Sequence, residues 1–223
     1  CHNPEGQLCE PELMESPNRC SHCNLCRKKC HHPECQKFGR CIHACPQGLL
    51  KVAGRWWTAQ ALVEKINYYA SMTAFSGITL SGGEPLMQAP FIMELLDQIP
   101  SVHTALQTAG FCDTHTFCKV IESVDYVLYD LKLADPVKHK YYTGVDNVQI
   151  LENYRLLLKS GKPHVVRIPL IPQITDTPEN IKALACIAEN SMVELMQYNR
   201  CAGAKYPMLG RKYSLSEKTP NNV

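Results

Sequence analysis

The chain has 223 residues, enough for one sizeable core with a small appendage, and its formal net charge of +2 offers no basic excess for nucleic acid. No apolar run approaches the length of a membrane span and no signal-peptide pattern is visible, although the chain opens on Cys1 rather than Met, as a processed or incomplete N-terminus would. Thirteen cysteines is a high count, and all but Cys112, Cys118, Cys186 and Cys201 lie at or before Cys45. A disulfide-rich secreted domain spreads its cysteines through the fold. Clustering in tight C-x-x-C steps favours metal and a reducing compartment instead.

Residues 1–15 read as loop, with Pro4, Gly6 and Pro11 and little periodicity. Residues 16–50 hold the cysteine ladder, and 51–223 have the composition of an ordinary globular domain. Thr58 is placed to cap a helix running to about Ala74, with Ala61, Leu62, Ile66 and Ala70 on one face. Strands are expected at 78–81, 103–108, 126–131, 165–170 and 193–198. Helices are expected near 90–99, with Pro90 in the first turn, and near 114–122. Two more fall near 148–160, stopped by Gly161 and Pro163, and near 178–190, with Thr177 capping Pro178. This alternation implies an α/β fold with a parallel sheet and helices outside. Spacing alone leaves open whether the sheet is doubly wound or a partial barrel.

The ladder begins Cys20-x-x-Cys23-x-x-Cys26-x-x-x-Cys30, the spacing of one half of a bacterial ferredoxin, in which the fourth cysteine of a run serves the other cluster. A second run holds Cys35 and then Cys41-x-x-x-Cys45-Pro46, with Phe38 where a further ligand belongs. The natural assignment is one complete 4Fe–4S cluster on Cys20, Cys23, Cys26 and Cys45. Cys30, Cys35 and Cys41 are left without a fourth thiolate. That second group can recruit Cys9, take another ligand, bind three irons or stand empty. The competing reading is zinc, with His22, His31, His32 or His43 beside the thiolates. Three closely stepped cysteines followed by a later Cys-Pro point more specifically to iron and sulfur than a lone C-x-x-C does.

A second stretch of interest is Gly77-Ile-Thr-Leu-Ser81-Gly82-Gly83-Glu84-Pro85. It reads as a short strand entering a turn in which Gly82 and Gly83 permit positive φ and close approach to a ligand. Strand ends of this kind are where parallel α/β proteins place small molecules. Taken alone, it equally describes a tight βα turn with a solvated Glu84.

Cys1-His2-Asn3-Pro4-Glu5-Gly6, the ladder, Ser81-Gly82-Gly83-Glu84-Pro85 and Asp130-Leu131-Lys132 together resemble the glycyl radical enzyme activating enzymes. These form a branch of the radical S-adenosylmethionine (SAM) superfamily, and the resemblance runs over essentially the whole chain. It implies a partial (β/α)6 TIM-like barrel whose first strand precedes this chain, with a ferredoxin-like insert. The implied domains are 1–15 as the end of the SAM cluster loop, 16–50 as the insert and 51–223 as the partial barrel. Cys1 matches the last cysteine of the family's C-x3-C-x2-C loop, so its two companions would lie upstream. Three thiolates leave one iron of a 4Fe–4S cluster open. In the family the amino and carboxylate groups of SAM chelate that iron, and an electron splits the S–C5′ bond to give a 5′-deoxyadenosyl radical. Such a radical attacks indiscriminately, so the site has to hold SAM rigidly and exclude water.

The resemblance also distributes roles. Gly82, Gly83 and Glu84, with Ser81 at the strand end, match the motif that receives the SAM ammonium. Asp130 and Lys132 match a D-x-K element and, two residues apart on a strand, share a side. Lys132 would neutralise the SAM carboxylate, and Asp130 would fix the cofactor or a monovalent cation. Without the resemblance they read as an exposed ion pair. Gln107 stands where relatives often carry an acidic residue, which removes a charge from any cation site there. Arg167 matches an arginine near SAM or substrate and alone reads equally as a salt-bridged strand residue. Asn199 takes the place of a histidine; it can hydrogen-bond the ribose but does not titrate near neutral pH. Cys1, Lys132 and Arg167 are the implied catalytic group. Lys205-Tyr206 and Leu209-Gly-Arg-Lys-Tyr213 resemble a C-terminal signature and read by default as exposed loop.

The implied activity is abstraction of a Cα hydrogen from a glycine of a large partner enzyme, with electrons from flavodoxin or ferredoxin passing through the ladder. The implied setting is an anaerobic cytoplasm and the implied state a monomer. Two other readings compete. One is a radical SAM enzyme acting on a small molecule or on RNA, the latter disfavoured by the near-neutral charge. The other is a non-catalytic iron–sulfur carrier or zinc module, which leaves the Gly-Gly-Glu turn and the Asp130/Lys132 pair without a role.

Overall fold

The computed structural model describes residues 3–16, 20–28, 30–74, 76–199 and 201–215. Two compact units emerge, one taking Cys1–Trp56 with Asn199–Val223 and the other Trp57–Tyr198. In the first, β1 (Glu12–Glu15) pairs antiparallel with β2 (Leu50–Ala53), from Glu12 opposite Ala53 to Glu15 opposite Leu50. Met14 and Leu50 are buried. The expectation of loop throughout residues 1–15 is thus corrected. Four residues are too few to show a period, and the partner strand lies beyond the whole cysteine ladder, so nothing local announces the pair.

Among its described residues, the ladder between them folds as turns and 3-10 turns, with one short α-helix, α1 (Pro33–Gln36). The Cys41 N–H donates to the Cys26 carbonyl at 2.7 Å, stitching the two cysteine runs together. Residues 201–215 belong to the same unit. Lys205 Nζ donates to Asn3 Oδ1 at 2.7 Å and pairs with Glu5, while Arg211 reaches the Pro4 carbonyl and Glu12 Oε1, each at 2.6 Å. The exposed-loop reading of that segment gives way to a clamp on residues 3–12.

The second unit begins with α2 (Ala59–Met72), where Thr58 Oγ1 accepts from the Ala61 N–H at 3.2 Å. Five strands follow: β3 (Ile78–Leu80), β4 (Thr104–Thr108), β5 (Tyr126–Asp130), β6 (His164–Pro169) and β7 (Val193–Met196). They lie side by side in chain order, all parallel. The returns are α3 (Ala89–Asp97), α4 (Thr114–Ser123), α5 (Pro136–Thr143), α6 (Val148–Ser160) and α7 (Pro178–Ile187). Of these only α5 has no counterpart among the expected elements. It is polar and buries only His139, so no apolar stripe marks it, although Asp135 caps it, Pro136 opens it and Gly144 ends it.

Burial alternates along the strands. Thr104, Leu106 and Thr108 of β4, Val127 and Tyr129 of β5, and Val166 and Ile168 of β6 face the core. There they join Ile66 of α2, Ile92 and Leu95 of α3, Phe117 and Val120 of α4, Tyr154 and Leu157 of α6, and Leu184 of α7. Gln107, Leu128, Asp130 and Arg167 lie on the opposite, incompletely covered face. A doubly wound sheet covers both faces, whereas helices on one face only match a partial barrel. Within the described residues, no helix is long and apolar enough to cross a membrane.

Candidate functional site

The C-terminal edge of the sheet gathers the polar residues singled out above. Parallel register sets Asp130 beside Arg167 and Arg167 beside Glu194. Ser81, one residue past β3, donates its hydroxyl to Gln107 Oε1 on β4 at 3.2 Å. Arg167 Nε donates to Glu194 Oε2 at 3.0 Å, and Lys132 Nζ lies 3.6 Å from Asp130 Oδ2. Asp130 Oδ1 is buried and, among the described residues, has no hydrogen-bond partner. A buried carboxylate oxygen left unpaired costs about 1–3 kcal/mol, so a donor, a water or a cation bound there would be stabilised.

Glu84 sits at the root of this edge and braces two loops at once. Its Oε1 accepts from the Leu86 N–H at 3.2 Å and the Thr108 hydroxyl at 2.5 Å, and its Oε2 from the Ala109 N–H at 2.9 Å. Burial nevertheless pushes its carboxyl above the ordinary value, against those donors and the charge of Lys132. Gly82 adopts φ +153°, and a Cβ built there would meet nothing within 4 Å. Glycine at that position therefore serves torsion and access rather than packing. Gly83 is not among the positive-φ residues.

Three buried asparagines, which no sequence pattern singled out, hold the loops that carry these groups. Asn153 of α6 donates to the carbonyls of Gly110 and Cys112 at 2.8 and 2.9 Å, fixing the loop after β4. Asn147 donates to the carbonyls of Leu133 and Ala134 at 2.8 and 2.9 Å. Asn180 of α7 donates to the Lys132 carbonyl at 3.1 Å and accepts from the Ala134 N–H at 2.9 Å. The backbone bearing Lys132 is thus clamped from two helices. Only Asn153 lies in a helix interior, where asparagine is a weak helix former; Asn147 immediately precedes α6 and Asn180 falls in the first turn of α7, where asparagine is ordinary.

In the first unit, Cys20, Cys23, Cys26 and Cys45 line one cavity together with Arg40 and Glu15. His22 and Asn24, between the first three cysteines, adopt φ of 54° and 58°. This left-handed backbone coils the run tightly. Donors already point at the sulfurs: His22 N–H to Cys20 at 3.4 Å, Leu49 N–H to Cys45 at 3.4 Å and Arg40 Nη2 to Cys26 at 3.2 Å. Arg40 also forms a two-pronged ion pair with Glu15 of β1, which holds that carboxyl below its usual range. The backbone N–H of Leu49 likewise lowers the Cys45 thiol. Four sulfurs around one cavity, with N–H donors aimed at them, suit a thiolate-ligated iron–sulfur cluster.

Cys30, Cys35 and Cys41 converge separately, with their sulfurs all within 4.8 Å of one another. The Cys30 and Cys35 sulfurs are 2.9 Å apart, and that contact pushes the Cys30 thiol up to about 11. Three thiols this close cannot all ionise without a cation among them. His32, Glu34 and His43 form a second, exposed group, with His43 Nε2 2.6 Å from Glu34 Oε1. Two expected site residues are not part of these clusters. Cys1 lies outside the described residues. Asn199 belongs to the first unit, is exposed, and its Oδ1 accepts from the Cys201 N–H at 2.9 Å. Cys112 is half-buried, and burial pushes its thiol up to about 12, as suits an inert structural cysteine.

Residues 17–185 match the radical SAM superfamily. The chain is similar to the 4-hydroxyphenylacetate decarboxylase activating enzyme of Clostridioides difficile, 31% identical across 98% of this chain and 78% of that one. It is also similar to the isethionate sulfite-lyase activating enzyme of Oleidesulfovibrio alaskensis, 34% identical across 97% of this chain and 79% of the other. Among solved structures, a domain of a pyruvate-formate lyase-activating enzyme from Bacteroides vulgatus superposes with a TM-score of 0.52 at 29% identity, covering 56% of this chain and 82% of that domain.

Proposed function

We propose an activase function, from the premise that the chain belongs to the radical SAM superfamily and to its glycyl radical enzyme activating branch. The proposed reaction removes a Cα hydrogen atom from one glycine of a partner glycyl radical enzyme. The observation that carries it is the polar edge on the incompletely covered sheet face, where Ser81 pairs with Gln107, Lys132 lies beside Asp130, Arg167 is level with Asp130, and Asp130 Oδ1 has no hydrogen-bond partner among the described residues.

SAM bound at a 4Fe–4S centre that includes Cys1 would supply the hydrogen-abstracting chemistry. The chain's own residues bind and orient. The backbone at Gly82 and Gly83 receives the ammonium end, with Glu84 bracing that loop from beneath. Lys132 neutralises the carboxylate end, and its clamped backbone fixes where the ammonium of its own side chain can reach. Asp130 Oδ1 takes a donor from the cofactor or a monovalent cation, with Gln107 as a neutral neighbour. Arg167, held by Glu194, faces cofactor or substrate peptide, and Asn199 serves the ribose. The cluster on Cys20, Cys23, Cys26 and Cys45 would relay electrons from flavodoxin or ferredoxin. A monomer in an anaerobic cytoplasm completes the proposal.

The test is anaerobic reconstitution of the complete gene product, including the residues upstream of Cys1, with iron, sulfide, SAM and a reductant, followed by addition of a candidate partner glycyl radical enzyme. A glycyl radical signal in the partner that depends on SAM supports the reading. SAM cleavage coupled to a small metabolite and never to a protein glycine shows a small-molecule enzyme instead. Failure to bind SAM refutes both.

A further inference from the structure

The thiol group of Cys30, Cys35 and Cys41 has no fourth member. No other cysteine, histidine or carboxylate joins it among the described residues. The place where a ferredoxin run would supply the missing thiolate is Phe38, three residues after Cys35 and three before Cys41. The Phe38 N–H donates to the Cys35 carbonyl at 3.0 Å, closing the turn after α1, and Lys37 Nζ lies 5.1 Å from its ring. A phenyl ring offers iron nothing. His32 is close in sequence but engaged elsewhere: its ring packs on His43 at 4.2 Å, and its ligand nitrogen groups with Glu34 and His43 rather than with the sulfurs. Cys9 is exposed and stands outside the group.

We propose that Cys30, Cys35 and Cys41 hold a second iron–sulfur cluster with one iron that no protein thiolate ligates, so that this iron is labile and the cluster passes between four-iron and three-iron forms. The inference rests on the iron–sulfur reading of the insert given under the proposed function. Three irons are each anchored by a cysteine. The fourth is held only by cluster sulfides and an exchangeable ligand, so it leaves first. With ferricyanide as oxidant, the four-iron cluster in its 2+ state gives up one electron to ferricyanide and one Fe²⁺ to solution. A three-iron cluster in the 1+ state remains, with all three iron–cysteine bonds intact. Ferrous iron and one electron from dithionite reverse the change.

The test uses the full chain, reconstituted anaerobically in a Cys1→Ala background so that the SAM centre's own open corner does not contribute. Ferricyanide is expected to release one iron per chain and to produce the paramagnetic signal of an oxidised three-iron cluster, and both are reversed by ferrous iron with dithionite. Phe38→Cys supplies the fourth thiolate and abolishes the release and the signal. Phe38→Ser, similar in size but without a strong iron ligand, keeps both, and Cys35→Ala loses the signal. The proposal is overturned if ferricyanide gives no three-iron signal, or if the signal survives Cys35→Ala. It is equally overturned if Cys9→Ser creates a signal absent from the wild type, since Cys9 would then fill the corner, or if the site takes zinc in place of iron. None of these readouts involves SAM. Failure of SAM cleavage in the wild type sinks the activase reading and leaves this one standing.

Discussion

In the proposed four-cysteine cluster, replacing Arg40 by Met should make the reduction potential more negative. Its guanidinium is largely buried, at 17% side-chain exposure, and donates to Cys26 Sγ at 3.2 Å. At an effective dielectric of about 20 and a distance of about 5 Å from the added electron, a unit positive charge stabilises the reduced cluster by roughly 3 kcal/mol. Glu15, paired to the same guanidinium and 33% exposed, cancels on the order of half of that. The remaining ~1.5 kcal/mol corresponds to about 60 mV for a one-electron couple. Arg40→Lys keeps the charge but loses the fork that grips Glu15 and Cys26 together, so an intermediate shift is expected. Glu15→Gln removes the opposing charge and should move the potential the other way. The assay is a redox titration followed by electron paramagnetic resonance on the reconstituted chain, in a Cys35→Ala background that silences the neighbouring thiol group. A potential unmoved by Arg40→Met, or moved positive, refutes the reasoning.

Lys132→Ala should weaken SAM binding about tenfold, equivalent to roughly 1.4 kcal/mol, while iron content stays that of the wild type; calorimetric titration with SAM measures it. Gly110→Ala should destabilise the second unit severely. Gly110 has φ +73°, and a Cβ there would come within 2.0 Å of the Tyr129 hydroxyl, which is buried and donates to the Ile150 carbonyl. Loss of soluble protein or a large drop in the urea midpoint is the readout. Arg211→Ala strips Glu12 of its partner, leaving a carboxylate whose other oxygen is already buried without one among the described residues. About 1–3 kcal/mol should be lost from the first unit, seen as a lower melting temperature with the ladder cysteines intact. Glu84→Gln tests a titration. Because burial raises this carboxyl in the folded state, the fold holds its proton more tightly than the unfolded chain does. Stability from that source is full below the ordinary carboxylate value and lost as pH rises through the raised one, so urea midpoints of the Gln variant should lose that acid-side gain.

Local chemistry made most of the second unit readable. Helix α6 was expected at 148–160 and runs Val148–Ser160, because Gly161 takes the left-handed conformation its stop requires. Thr58 and Thr177 cap where their positions before helical runs imply. Strand ends differ by a residue or two: the strands expected at 78–81 and 126–131 end at Leu80 and Asp130. What stayed hidden was non-local or polar. The β1–β2 pair joins segments on either side of the ladder, and α5 has almost no apolar face. Lys205 and Arg211 act on residues 3–12 from some 200 positions away, a separation at which one sequence offers no pairing signal. The cysteines were legible by spacing, which also divided them into Cys20, Cys23, Cys26 and Cys45 on one side and Cys30, Cys35 and Cys41 on the other, and in the structure the same four line one cavity and the same three converge. That grouping follows from the left-handed turns at His22 and Asn24 and the Cys41–Cys26 backbone bond.

The uncovered face of the sheet explains why the polar residues of the site could be read singly yet not as a set. On β4, β5 and β6 the core-facing positions are filled by Leu106, Val127, Tyr129, Val166 and Ile168, so packing decides them. The alternate positions are free of that demand, and there Gln107, Asp130 and Arg167 appear. Strand alternation fixes which residues can share the face, but only register brings Asp130 level with Arg167 and Arg167 level with Glu194. Once level, the charges do not close on themselves. Arg167 turns to Glu194, Lys132 stays at 3.6 Å from one oxygen of Asp130, and the other oxygen of Asp130 is buried and accepts from none of the described residues. A sheet selected for stability alone would replace that carboxylate or pair it, since either change recovers the desolvation cost. A cationic or donor-bearing group bound at that oxygen would recover the cost.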